Sequence, residues 1–297
     1  MIGHSRIREQ FTRLITQQQL SHAYILVGAE HIGKETLATW VSAQILHITE
    51  TAAEHHPDIL WVRRGYDEKN ERFKRDITIS EIREAIQFAN ESSFYGGHKV
   101  IIITDADRLN TEAGNALLKV LEEPPANTIF FLLYKTVGAI IPTIRSRAQL
   151  IPLSLVADSE LQTAISAIIS DPEQVTMICR AAAGRPGLAL LFCNDPEQLH
   201  SRIQAQTEFL QLIGAPLAEK FAVAEQVTAS TQENGGVDAL VTHLENWQEA
   251  TRTALASPNR LLLDYVRVSD EITVAITALR QNAHPRLTVE AFFTKIP

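Results

Sequence analysis

Through its first 150 residues the chain alternates between two rhythms of apolar positions. Short uninterrupted apolar runs at 23–27, 59–62, 100–103 and 128–133 read as strands buried on both faces, the pattern of a parallel sheet. Between them, apolar residues recur three or four apart, as on one face of a helix. Residues 5–19 carry Ile7, Phe11, Leu14 and Ile15 in this way, and a second helix is expected over 33–46. Thr78 with Glu81 forms a capping-box signature ahead of a stripe of Ile82, Ile86 and Ala89. Asn110 or Thr111 can cap a helix that runs to Glu123 and is stopped by Pro124-Pro125. A short helical stretch should end near Arg147, and the charged, unpatterned residues 63–76 read as a solvated excursion. Strands alternating with helices predict βαβ units and a mostly parallel α/β sheet for residues 1–152.

Beyond Leu153 only helical periodicity remains. Residues 153–195 split around Asp171-Pro172 and 184–187, which suggests a small helical domain. Residues 196–297 are again helical, broken at Gly214-Ala215-Pro216, Gly235-Gly236 and Ser257-Pro258.

Composition narrows the function classes. The chain has 297 residues, 45% of them apolar and 21% charged, enough for two or three domains with sizeable cores. A net charge of −8 argues against non-specific adhesion to nucleic acid by the chain as a whole. Cys179 and Cys193 read as small buried side chains in a reducing compartment. No run reaches the ~18 apolar residues of a membrane span, and Met1 leads into polar sequence rather than a signal peptide. A cytoplasmic protein with no membrane partner is expected.

Two segments carry candidate chemistry. Gly28-Ala-Glu-His-Ile-Gly33-Lys34-Glu35-Thr36 follows a strand and opens a helix, the setting in which G-x-x-x-x-G-K-[ST] cradles phosphate. Glu35 stands where a hydroxyl should meet Mg²⁺, and Thr36 lies about 100° further round the helix. Asp105, at the tip of the 100–103 strand, is placed to hold a metal. The next residue, Ala106, offers no second carboxylate, and Asp107 is expected to cap the following helix. Three readings stay open: a strand-to-helix turn without ligand, nucleotide held without turnover, and hydrolysis by a motor-type ATPase with Asp107 acting on water. A DNA-binding module acting alone is a further class, disfavoured by the net charge.

The stretch 115–125, Asn-Ala-Leu-Leu-Lys-Val-Leu-Glu-Glu-Pro-Pro, precedes Thr143-Ile-Arg-Ser146-Arg147-Ala148. Together with Ile2-Gly3-His4, Ser21-His22-Ala23-Tyr24 and Gly96-Gly97-His98-Lys99, these segments resemble the AAA+ clamp-loader family of bacterial DNA polymerase III. The resemblance is strong over the first ~150 residues, moderate to about 195, and beyond 200 rests on length and helical character.

It implies an α/β AAA+ module with degenerate Walker A and B over 1–152, a helical lid over 153–195, and an all-α oligomerisation collar over 196–297. It implies a non-hydrolysing stator, with no cofactor required and with Gly28, Gly33, Lys34, Glu35, Thr36 and Asp105 as a degenerate nucleotide site. That site is either empty or holds ATP or ADP without turnover. Arg147 would be an arginine finger offered in trans to ATP on a neighbouring motor subunit, a role worth about 10³–10⁵ in rate in other nucleotidases. Arg145 is its nearest confounder. The implied partners are gamma/tau-type motor and delta-type subunits in a hetero-pentamer, and, through the assembled complex, the sliding clamp and primed DNA.

Departures from the pattern point the same way. Leu133-Tyr134-Lys135 stands in place of a small polar γ-phosphate sensor and Gly187 falls where motor subunits carry a phosphate-sensing Arg, whereas Ala148, in place of a Cys, is a packing change of little functional meaning. The stretch 46–58, where relatives carry a four-cysteine zinc module, has no Cys. His47, His55 and His56 lack a fourth ligand, so a polar loop without metal is expected.

Overall fold

The computed structural model describes residues 1–67, 72–233, 236–255 and 262–297. They form two compact units: Met1–Ile168 with Gly184–Leu190, and Ile169–Ala183 with Leu191–Pro297. The segment expected as a lid, 153–195, is therefore divided between them.

The first unit is built on β1 (Ala23–Val27), β2 (Ile59–Val62), a hairpin of β3 (Tyr66–Asp67) and β4 (Arg72–Phe73), β5 (Lys99–Ile103), β6 (Thr128–Tyr134) and β7 (Gln149–Pro152). Five strands make an all-parallel sheet in the order β2-β5-β6-β1-β7. The four apolar runs are four of its strands, β5, β6 and β1 in the interior and β2 at one edge. β7 went unread in the sequence because this edge strand is short, has both termini exposed and ends in proline.

Alternate strand residues face opposite layers. Ile25, Val27, Ile101, Ile103, Phe130 and Leu132 pack with α4 (Ile79–Asn90), α5 (Thr111–Glu122) and the short α6 (Pro142–Arg145). Tyr24, Leu26, Val100, Ile102, Phe131 and Leu133 pack on the other face with α1 (Ser5–Thr16) and α2 (Lys34–Leu46). The Thr78–Glu81 capping box forms, the Glu81 carboxylate accepting the Thr78 N–H at 3.0 Å. Between α2 and β2 the expected polar loop contains one helical turn, α3 (Glu50–Ala53), capped by Thr49. The unit closes with α7 (Asp158–Ser166).

The second unit is helical. It contains α8 (Pro172–Ala182), the end of α9 (Pro186–Asn194), α10 (Pro196–Leu212), α11 (Leu217–Glu233), α12 (Gly236–Leu255), α13 (Leu262–Arg280) and α14 (Pro285–Lys295). Trp247 stacks on Phe209 with ring centroids 4.6 Å apart and packs against Phe292 and Phe293 at the centre of its core. Gly236 opens α12 at φ +65°, whereas the breaks expected at Gly235 and Ser257-Pro258 lie outside the described residues. Both cysteines are free thiols, and no helix among the described residues is long and apolar enough to cross a membrane.

Candidate functional site

Parallel strands send their following loops to one edge of the sheet, where ligands of such sheets bind. Here the loops after β1, β5 and β6 border a cavity of about 680 Å³ reached by Gly33, Lys34, Glu35, Thr36, Asp105 and Lys135. Gly28 leaves β1 pressed against the chain beyond β7, and a Cβ there would lie 2.7 Å from the Leu153 carbonyl oxygen. Gly33, at φ +102°, makes the turn into α2. His4, from the Ile2-Gly3-His4 segment, ties the N-terminus to this loop through Nε2 and the Ile32 carbonyl, 3.0 Å apart.

The loop lysine is occupied by its own loop. Lys34 Nζ donates to the Gly28 and Ala29 carbonyls at 2.6 and 2.8 Å. Burial lowers its pKa to about 8, against the attraction of Glu30. Asp105 is taken as well, with Oδ2 accepting from Arg64 Nε at 3.1 Å. Glu35 lies 3.8 Å from the Arg63 guanidinium at the surface. Lys135, following β6, pairs with the Glu30 carboxylate. Burial alone would raise the Glu30 pKa, but the attraction of Lys135 holds it below the usual carboxylate range.

Asp107 corrects one expectation. It sits in a 3₁₀ turn, Ala106–Arg108, and α5 is capped instead by Asn110, whose Oδ1 accepts the Ala113 N–H at 2.8 Å. Asp107 Oδ1 is buried with no hydrogen-bond partner among the described residues. Burial, reinforced by Asp105, raises the Asp107 pKa against the pull of Lys135. Burial and then the Asp107 charge likewise raise the pKa of Tyr134.

Arg63 and Arg64 escaped the sequence reading, which placed them in a solvated excursion. The available signal was a pair of arginines directly following a strand. Their importance depends on β2 lying beside β5, with Val62 opposite Ile103. Across the site, Arg63 pairs with Glu35, Arg64 with Asp105 and Lys135 with Glu30, while Lys34 and Asp107 lie within the field of these groups. A magnesium triphosphate needs unmatched cations for its phosphates and an unengaged carboxylate and hydroxyl near the metal. Here Lys34 and Asp105, on which such a ligand would draw, are each engaged by a group of this chain. Gly187, at the position expected of a sensing arginine, borders the cavity, and its N–H donates to the His31 carbonyl at 2.9 Å.

Arg147 is not among the cavity residues. It follows α6, where its Nη1 donates to the Thr143 carbonyl at 3.0 Å and to Ser146 Oγ at 3.1 Å. Its Nη2 donates to Glu122 Oε1, at the end of α5, at 2.5 Å. Arg145 is exposed.

The sequence model of the family described as DNA polymerase III, delta subunit, matches residues 3–157. DNA polymerase III subunit delta' of Pseudomonas aeruginosa is 29% identical over 232 residues, covering 71% of this chain and 69% of that protein. Subunit delta' of Escherichia coli is 37% identical over 142 residues, 47% of this chain and 41% of its own length. The chain thus spans less than half of that relative. Among solved structures, a DNA polymerase III gamma subunit-related protein from Thermotoga maritima superposes with a TM-score of 0.57 at 18% identity. That match covers 96% of this chain and 97% of the other, a likeness of fold.

Proposed function

Because the chain belongs to the AAA+ clamp-loader family, in the group described as DNA polymerase III, delta subunit, we propose that it is a non-hydrolysing stator subunit of a replicative clamp loader. In this role its own phosphate loop is silent, and Arg147 reaches the triphosphate of a neighbouring gamma/tau-type motor subunit. The proposed assembly is a hetero-pentamer that also holds a delta-type subunit and places a sliding clamp on primed DNA. Residues 153–195 would then serve as lid and 196–297 as collar.

The observation that carries this reading is the internal engagement of the loop edge. Lys34 gives two N–H donors to loop carbonyls and Asp105 gives Oδ2 to Arg64, so phosphate or magnesium would have to compete with partners from this chain. Any ATP or ADP bound there is held without turnover. Arg147, half-buried and outside the cavity, is by contrast within reach of an incoming protein surface. An arginine so placed supplies positive charge to a transferring phosphoryl group without needing a site of its own.

The test is the ATPase of the assembled complex beside that of the purified chain. The chain alone should show no magnesium-dependent hydrolysis. Arg147→Ala should lower the DNA-stimulated rate of the complex by a factor of about 10² or more while leaving assembly intact. Steady hydrolysis by the chain alone, abolished by Lys34→Ala, would replace this reading with that of a motor ATPase.

A further inference from the structure

The segments 115–125 and 143–148, which share an apolar cluster, are also joined by an ion pair, Glu122 Oε1 with Arg147 Nη2 at 2.5 Å. An arginine has five N–H donors. Three are engaged within this chain: two on Nη1, by Thr143 and Ser146, and one on Nη2, by Glu122. Ser146 is itself fixed, donating to the Thr143 carbonyl at 2.9 Å. One edge of the guanidinium is thus held by its own turn, and the other by a carboxylate from a different helix.

We propose that Glu122 is a holding residue for Arg147: it occupies the guanidinium edge that a neighbour's triphosphate would take, and the finger engages only when Glu122 is displaced. The proposal rests on the trans-finger reading above. A carboxylate at this distance cancels much of the guanidinium's positive field, and a finger works through that field. The same carboxylate beside a phosphate is repelled, so the pair and the phosphate contact exclude one another.

Displacement is easy. The two side chains are 33% and 51% exposed, and exposed pairs contribute little. A phosphate accepts bidentate, charge-assisted hydrogen bonds from the same edge. Thr143 and Ser146 keep Nη1 in place throughout, so the exchange happens at Nη2 without loss of the arginine's orientation. The pair then acts as a small conformational tax on ATP engagement at the adjacent site, lowering its apparent affinity by the fraction of fingers held.

The experiment compares the assembled complex carrying wild type, Glu122→Gln, Glu123→Gln, Arg147→Ala and the Glu122→Gln/Arg147→Ala pair. Glu123 is the control, an adjacent exposed carboxylate with no ion pair to Arg147. Glu122→Gln should lower KM for ATP about two- to fivefold, with a smaller change in kcat, the size expected from freeing an exposed pair. Glu123→Gln should match wild type, and the double variant should match Arg147→Ala.

A Glu122→Gln complex that slows as Arg147→Ala does would make Glu122 an aid to the finger and overturn the proposal. Wild-type KM and kcat in that variant would overturn it equally. In the isolated full-length chain, guanidinium rotation of Arg147 measured by NMR should be faster in Glu122→Gln than in wild type, and equal rotation sinks the holding contact whatever the ATPase shows. Unchanged turnover in Arg147→Ala, with rotation that still responds to Glu122→Gln, would instead place the failure in the trans-finger reading, and the holding role would fall with it.

Discussion

Arg64 donates through Nε to Asp105 Oδ2 across 3.1 Å, joining the loop after β2 to the carboxyl end of β5. The acid that a hydrolytic site would keep for magnesium is therefore the anchor of an arginine lying 41 positions earlier in the chain. The same substitution of an internal partner for a ligand recurs at Lys34, whose Nζ donates to the Gly28 and Ala29 carbonyls.

The Arg64–Asp105 pair is only partly exposed, at 24% and 28%, so its coupling should exceed that of a surface pair. A double-mutant cycle with Arg64→Ala and Asp105→Ala, read by urea unfolding, should give a coupling energy of about 1 kcal/mol. Strictly additive losses would show that the pair contributes nothing to stability.

Lys34 makes stability depend on pH in the alkaline range. Its folded pKa, about 8, lies below the ordinary 10.5, so the unfolded chain keeps the proton longer than the native one does. The contribution is fully present above 10.5 and lost as pH falls through 8. Wild-type stability relative to Lys34→Met should therefore rise between these values, by roughly 3 kcal/mol at most at about 1.4 kcal/mol per unit. A flat difference across that window would show that the ammonium is well solvated.

Asp107 predicts the opposite trend at acid pH. Its raised pKa means that the charged carboxylate is disfavoured in the native protein. Its contribution is present below the unfolded carboxylate pKa and lost as pH rises through the folded one. Asp107→Asn should accordingly be the more stable protein at pH 7, by on the order of 1 kcal/mol, and lose that advantage on acidification. Destabilisation at pH 7 would show that the Asp107 charge is needed by Lys34 and Lys135.

Gly187 is required by a close approach rather than by backbone conformation. A Cβ there would lie 2.9 Å from the His31 carbonyl oxygen and 3.2 Å from His31 Cα, main-chain atoms that move only with the phosphate loop. Gly187→Ala should cost about 1–3 kcal/mol despite alanine's better helix propensity. Gly138→Ala, with nothing within 4 Å, should be near neutral when both variants are compared with wild type by urea unfolding.

The local features were legible because they are local chemistry. Continuous β-branched runs exclude themselves from water on both faces, and Thr78, Asn110 and Pro124-Pro125 begin or end helices through groups a few residues away. The family signature in 115–125 and 143–148 belongs to the same level. What the sequence by itself determined was therefore the elements of the α/β unit, the phosphate-loop turn and its missing hydroxyl.

The tertiary structure alone decided who partners whom. The strand order β2-β5-β6-β1-β7 carries Arg64 to Asp105, and the fold also seats Lys135 on Glu30 and Arg147 on Glu122. Ion pairs form at a few ångströms, between residues whose neighbourhood is set by sheet order and register. No spacing along the chain encodes that distance, so the internal partners of Asp105, Glu30 and Arg147 became visible only once the strands were side by side.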